Sequence, residues 1–135
     1  MSQVRRLRPV IPRQLLLVAA GAVPGAWLRW QCGQRLGPWL GGSAGADLVV
    51  NLLGSLLLGW LVGSQPRRSG LLLFAGVGFC GSLTTFSSWL LAVAERLRSP
   101  RPLEGLALVV TSLGLGLLAA GLGFHWGRGR RLQRP

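Results

Sequence analysis

The chain contains no lysine and no tyrosine, and it has one histidine, one methionine and three acidic residues, Asp47, Glu95 and Glu104. Paired-carboxylate and histidine-based catalysis therefore have almost no material to work with. His125 stands at the edge of an apolar run with no acid near it in sequence. The GxSxG, HExxH and Walker-loop patterns are missing too, and with them any other metal-ligand spacing, so the chain reads as a protein that is not an enzyme. Its two cysteines, Cys32 and Cys80, lie in or beside apolar stretches without CxxC or Cys/His spacing. They read as small buried hydrophobes rather than as a disulfide or a thiolate site.

What is present is arginine and hydrocarbon. Fifteen arginines face the three acids, for a formal net charge of +12, and half of the 135 residues are hydrophobic. A basic excess of that size often marks a nucleic-acid binder. Here the arginines fall between apolar blocks and at the two ends, where membrane flanks meet anionic headgroups, so no nucleic-acid partner is expected. The N-terminus, MSQVRRLRPVIPRQLLLVAAGAV, has the basic head and apolar run of a signal peptide. It is read as retained, because the rest of the chain is equally apolar. Residues 1–135 then form a single integral membrane domain.

A transmembrane helix needs about 20 mostly apolar residues. Four stretches qualify: Leu15 to about Trp30, about Ala46 to Gly63, Gly70 to Ala94, and Gly105 to Gly127. Their connectors, LGPWLGGSAG, SQPRRS and RLRSPRP, carry the Gly, Pro and Arg of short turns. Trp30, Trp39, Trp60 and Trp126 fall near span ends, as an aromatic belt would. The fold class expected is all-α, four membrane-spanning helices. The 21 glycines suit close helix approach, with Gly21-xxx-Gly25, Gly59-xxx-Gly63 and Ala119-xxx-Gly123 as small-xxx-small pairs. Four helices alone leave little wall around a path, so a dimer is the expected working unit.

The polar residues inside the spans are few. Asp47 and Asn51 lie one helical turn apart on the second span. An interhelical hydrogen bond is the plain reading of such an Asn, and a snorkelling anchor that of Arg29. Thr111 and Ser112 can bond back to their own helix. The third span is different: Gly78, Gly81 and the hydroxyls of Thr84, Thr85, Ser87 and Ser88 are poor material for an unbroken helix. A break is expected near Gly81 to Thr84, and broken backbone at membrane depth survives only where it is buried in protein or lines a cavity. Freed carbonyls suit a cation; hydroxyls, N–H groups and the positive edge of Phe86 suit a small anion that must be held and released. A mid-span carboxylate, which proton-coupled carriers use, is missing from the first, third and fourth spans.

Three segments carry a resemblance: GAVPGAWLRW (Gly21 to Trp30), VVNLLGSLLLG (Val49 to Gly59) and GFCGSLTTFSSW (Gly78 to Trp89). In order and spacing they resemble the Fluc, or CrcB, family of fluoride channels, and the likeness covers all but the arginine-rich ends. The resemblance implies an antiparallel dimer of four-helix subunits, with the third helix broken mid-membrane and two fluoride pores. It implies a structural sodium at the dimer centre, bound by the backbone carbonyls of Gly81 and Thr84. It assigns to the fluoride pore Asn51, Phe86, Ser88, Trp89 and Ser112, and matches Arg29 to the family's first-helix arginine; an ionised Asp47 at a pore end would repel fluoride unless Arg29 offsets it, which gives both an electrostatic role. Three positions depart from the family pattern. Trp89 stands where the second phenylalanine of an aromatic pair is usual, and Asp47 where a threonine is. The fourth-helix tyrosine would fall near Leu108, and the chain has no tyrosine.

The function this implies is passive export of cytoplasmic fluoride across a bacterial plasma membrane, protecting against fluoride toxicity. The alternatives are a small multidrug-resistance-type four-helix carrier, which normally uses a first-span glutamate absent here, and a non-conducting membrane assembly subunit. With four spans, one face carries Arg5, Arg6, Arg8, Arg13, Arg67, Arg68, Arg128, Arg130, Arg131 and Arg134. The other carries half as many: Arg29, Arg35, Arg96, Arg98 and Arg101. Arginine near short loops is retained in the cytoplasm, so both termini should be inside and the orientation mostly fixed. The antiparallel partner would then be a related subunit of opposite bias, which could supply the missing second phenylalanine and the tyrosine.

Overall fold

Runs of leucine, valine, alanine and glycine without acids offer the backbone no partner but itself, and helices satisfy their own N–H and C=O groups. The computed structural model describes residues 12–64, 69–100 and 102–132, and every regular element among them is helical. Helix α1 spans Pro12–Leu36 and is followed by a single 3-10 turn, Gly37–Trp39. Helix α2 spans Ser43–Ser64. Helix α3, residues 69–83, is composite: an α turn at Ser69–Leu71, a π-helix over Leu72–Cys80 and an α turn at Gly81–Leu83. Helix α4 is Ser87–Leu97 and α5 is Pro102–Leu132. Gly41 (φ 75°) and Gly42 (φ 109°) supply the left-handed backbone that turns α1 into α2.

Among the described residues three segments are long and apolar enough to cross a membrane: Ser43–Ser64, Leu72–Leu97 and Pro102–Arg130. Helix α1 contains the expected first span and at 25 residues is about 37 Å long, but Pro24, Arg29 and Gln31 make it the most polar of the long helices. The orientation expectation rests largely on Arg5, Arg6, Arg8, Arg67, Arg68, Arg101 and Arg134, which lie outside the described residues.

Two glycine interlocks hold the helices together. Helices α2 and α5 meet reciprocally. A Cβ at Gly59 or Gly63 would overlap the carbonyl of Ala120 or Phe124, and one at Gly123 or Gly127 would overlap that of Leu56 or Trp60. Backbones this close gain dispersion and Cα–H···O contacts that larger residues forbid. Gly123 acts as expected, and Gly127, one turn further along, extends the contact. The second interlock joins α1 to α3, where Gly21 lies on the Phe74 carbonyl and Gly25 on that of Phe79. Gly21 and Gly25 are one α turn apart, whereas Phe74 and Phe79 are five residues apart, one π turn. The π-helix therefore matches the two contacts turn for turn, and Gly78 completes the fit against the Val18 carbonyl.

The buried apolar residues, Ala46, Val50, Leu61, Cys80, Leu83, Trp89, Ala92 and Val93, belong to α2, α3 and α4. By contrast α5 exposes Leu103, Leu106, Val110, Leu113, Leu117 and Leu118. In hydrocarbon such a face meets lipid or another helix.

Replacing Gly59 by alanine is expected to destabilise the fold by about 1–3 kcal/mol through overpacking, whereas Gly121→Ala, with nothing within 4 Å of its Cβ, is tolerated. Unfolding of the two variants in detergent micelles checks this, and equal stability would refute the interlock.

A cavity at an interrupted helix

Asn51 lies on α2, one turn beyond Asp47, and its side chain acts as a substitute peptide group. Its Oδ1 accepts the Thr85 backbone N–H at 2.7 Å, and its Nδ2 donates to the Thr85 carbonyl at 2.9 Å. The Thr85 N–H is the group that would have continued α3 by bonding the Gly81 carbonyl. With it diverted, the chain turns extended at Thr84 (φ −74°, ψ 151°) and becomes helical again only at Ser87. Thr85 is buried, and an unpaired buried N–H or C=O costs about 1–3 kcal/mol, so the interruption depends on this side chain. Neighbouring hydroxyls complete it. Thr84 donates both its N–H, at 3.0 Å, and its Oγ1–H, at 2.9 Å, to the Cys80 carbonyl. The Thr85 and Ser88 hydroxyls lie 3.2 Å apart. Gly54 lets Thr84 sit against α2, because a Cβ there would come within 2.5 Å of the Thr84 methyl.

The sequence suggests a break near Gly81 to Thr84; the structure stays helical through Leu83 and opens at Thr84. Gly81 itself has ordinary helical torsions (φ −63°, ψ −32°). Its flexibility is not what ends the helix. Among the described residues no backbone N–H reaches the Gly81, Ser82, Leu83 or Thr84 carbonyls from across the interruption. The carbonyl end of α3 and the N–H end of α4 thus meet at one level of the segment, and a helix carries partial negative charge at the first kind of end and partial positive at the second.

A cavity of about 640 Å³ opens on this interruption, between α2, α3, α4 and α5. It is lined by Asn51, Gly81, Thr84, Phe86, Trp89 and Ser112, six of the residues singled out in the sequence. The Phe86 and Trp89 rings are 5.2 Å apart at 41°. Arg29, Asp47 and Ser88 are not on that wall; they line a second pocket of about 340 Å³ with Gln34 and Ser43. Ser88 joins the two through its contact with Thr85. Four buried side-chain atoms have no hydrogen-bond partner among the described residues: Arg29 Nε, Asp47 Oδ2, Trp89 Nε1 and Ser112 Oγ. Of the two hydroxyls on α5, Thr111 bonds back to the Ala107 carbonyl at 2.7 Å, but Ser112 does not. His125 is exposed, and no cluster of three or more His, Cys, Asp or Glu that could hold a metal occurs among the described residues.

Sequence reasoning took Thr85 only as part of a hydroxyl run and passed over Ser55 on the cavity wall; Cys80, also on that wall, is the buried small hydrophobe expected. The Asn51–Thr85 contact spans 34 residues, and no periodicity within a helix announces a pairing between two helices. The doublet Thr84-Thr85 directly after a glycine-rich apolar run was the available signal.

The profile of the family described as "CrcB-like protein, Camphor Resistance (CrcB)" matches residues 16–124. The chain is 52% identical to "Fluoride-specific ion channel FluC 2" of Synechococcus sp. (strain CC9605), over 90% of this chain and 85% of that one. It is also similar to two proteins of Synechococcus sp. (strain CC9902). One is named FluC 2, at 47% identity over 90% of this chain and 85% of that one. The other is named FluC 1, at 38% identity over 84% of this chain and 93% of that one.

Asn51→Leu removes both bonds to Thr85. The expected loss is about 1–3 kcal/mol for each backbone group left bare, with faster hydrogen exchange at the Thr85 amide. Exchange in detergent micelles at wild-type rate would show that the interruption stands without Asn51.

Proposed function

The chain belongs to the CrcB family, and on that premise we propose that it is a fluoride-specific ion channel that lets cytoplasmic fluoride leave a bacterial cell, limiting fluoride toxicity. The observation that carries this is the interruption at Thr84–Phe86, held by Asn51 and opening on a cavity of neutral polar groups and aromatic rings. Fluoride is small and strongly hydrated, so a site must replace its water with donors. Neutral donors do so without the fixed charge that would trap the ion. A channel suffices, because an inside-negative potential drives an anion outward with about 2.3 kcal/mol per charge per 100 mV. In this reading Asn51, Phe86, Ser88, Trp89 and Ser112 line the anion path. Asn51 has a double duty: one amide hydrogen and its oxygen hold Thr85, and the second amide hydrogen remains for the ion. Arg29 and Asp47 sit at the mouth, where the guanidinium offsets the carboxylate that would otherwise repel fluoride.

The working unit proposed is an antiparallel dimer of four-span subunits, with α1 as the first span and α3–α4 as a span broken in mid-membrane. The carbonyls of Gly81 and Thr84 would hold a structural sodium at its centre. Hard carbonyl oxygens released from helix pairing are the donor set such an ion takes, and the ion would supply charge that fixes two facing interruptions. A side chain at Gly81 would meet nothing closer than 3.9 Å, so Gly81→Val is a weak probe of that site; changing the cation is a better one.

Purified protein in liposomes is expected to release fluoride when a potential is imposed, where a multidrug-type carrier or an assembly subunit would not. Phe86→Ile should lower that flux about tenfold, equivalent to about 1.4 kcal/mol in the barrier. Exchange of all sodium for N-methylglucamine should abolish it. Wild-type flux in Phe86→Ile would remove Phe86 from the path, and full flux without sodium would remove the central ion.

The partner proposed is a related subunit of opposite orientation. Arginine bias favours one insertion direction for this chain, and both a FluC 1 and a FluC 2 relative occur in one Synechococcus strain. A cysteine added at the C-terminus should label from the cytoplasmic side alone; substantial labelling from both sides would restore a dimer of identical chains.

A further inference from the structure

We infer that Asp47 works as a proton-operated valve. Ionised, it cancels the charge of Arg29 and leaves one mouth of the anion path neutral; protonated, it leaves Arg29 unopposed, and the mouth draws fluoride in. This rests on the channel reading above. Of the three acids Asp47 alone is buried, at 8% exposed, whereas Glu95 and Glu104 are exposed. It lines the pocket of about 340 Å³ together with Arg29, and the other polar residues there, Gln34, Ser43 and Ser88, are uncharged. The remaining titratable groups on the helices that form this pocket, Arg13, Cys32 and Arg35 of α1 and Glu95 and Arg96 of α4, are not on its wall. Arg29 Nε and Asp47 Oδ2 are both buried without a hydrogen-bond partner among the described residues. The carboxyl can therefore gain a proton without breaking a bond to that oxygen.

The charge stands where it can act on a passing anion. Asp47 is one turn before Asn51 on α2, and Asn51 lines the large cavity. Ser88 lines the pocket, and its hydroxyl lies 3.2 Å from that of Thr85 on the cavity wall. Pocket and cavity are thus neighbours along one path. A charge acts through space and needs no contact with the ion. Between low-dielectric walls, with little water to screen it, one unit of charge strongly changes how readily an anion enters. An ionised carboxylate only accepts hydrogen bonds, whereas a carboxylic acid donates one, so protonation removes a repulsive group in that respect as well. The pair lies where α1 turns into α2. With both termini in the cytoplasm, as proposed above, that end faces outside, and an acid exterior opens the valve. Hydrogen fluoride, a weak acid, enters as the neutral molecule under the same condition, so the exit widens when the load is greatest.

The test measures fluoride current through the full-length protein in planar bilayers, because neutral hydrogen fluoride carries no current. Fluoride is kept below half-saturation, and pH is equal on both sides. Between about pH 8 and about pH 4, a window that reaches the ordinary aspartate range, wild-type current should rise about tenfold, the low end of what focused charge gives an ion's entry rate. Asp47→Asn, permanently uncharged, should conduct at every pH as wild type does in acid. Asp47→Glu should keep the rise. Should Asp47→Asn misfold, Asp47→Thr removes the charge with the residue usual at this position in the family. Wild-type current that ignores pH, or a rise of wild-type size in the uncharged variants, overturns the inference and leaves the channel reading standing. Absence of fluoride current through wild type at every pH overturns the channel reading and this inference with it.

Discussion

Two hydrogen bonds from one amide side chain to one residue's backbone decide the shape of the middle of this protein. In hydrocarbon a helix cannot simply stop, because the N–H and C=O groups it frees have no water to turn to. Asn51 accepts the Thr85 N–H and donates to the Thr85 carbonyl, and an amide offers both functions at peptide-like spacing without needing to change protonation state. The interruption is thereby made affordable. The carbonyls left open on its α3 side and the helix start on its α4 side follow from it, and so does the cavity between them.

That contact works only if α2 stands at the right distance and register. The α2–α5 interlock sets α2 to within a backbone's width of α5 through Gly59, Gly63, Gly123 and Gly127. Gly54 then leaves room for the Thr84 methyl. On the other side, the π-helix brings Phe74 and Phe79 carbonyls onto Gly21 and Gly25, fixing α3 against α1. The glycines are thus a positioning system for a polar contact as well as a packing device. Close-packed backbone transmits any added carbon directly to its neighbour, which is why a methyl at Gly59 and a methyl at Gly121 are expected to behave so differently.

The fold-level reading and the site-level reading differ in how much of each was legible. Apolar runs, connectors and arginine flanks marked the helices, because hydropathy and turn chemistry are local properties. The GFCGSLTTFSSW stretch marked the irregular segment for the same reason. Within that segment a break was expected near Gly81 to Thr84; Gly81 itself is helical, and the opening runs from Thr84, the far end of that range, to Phe86. A glycine permits a break without requiring one, and the requirement came from a residue on another helix. The π-helix over Leu72–Cys80 was not legible either, since it answers to the spacing of Gly21 and Gly25 on a neighbour.

What the sequence by itself determined is the class of protein: a membrane-embedded helical chain, poor in acids, with hydroxyls and rings concentrated in one span and the motifs of a fluoride-channel family around them. These follow from composition and short-range pattern. Tertiary structure alone decided which polar groups are spent and which are left. Asn51 and Thr111 find partners, while Trp89 Nε1 and Ser112 Oγ find none among the described residues. It likewise separated Arg29, Asp47 and Ser88 from the cavity that holds the others. Hydrogen-bond satisfaction is a property of groups brought together from distant parts of the chain, and only the folded arrangement of helices brings them together.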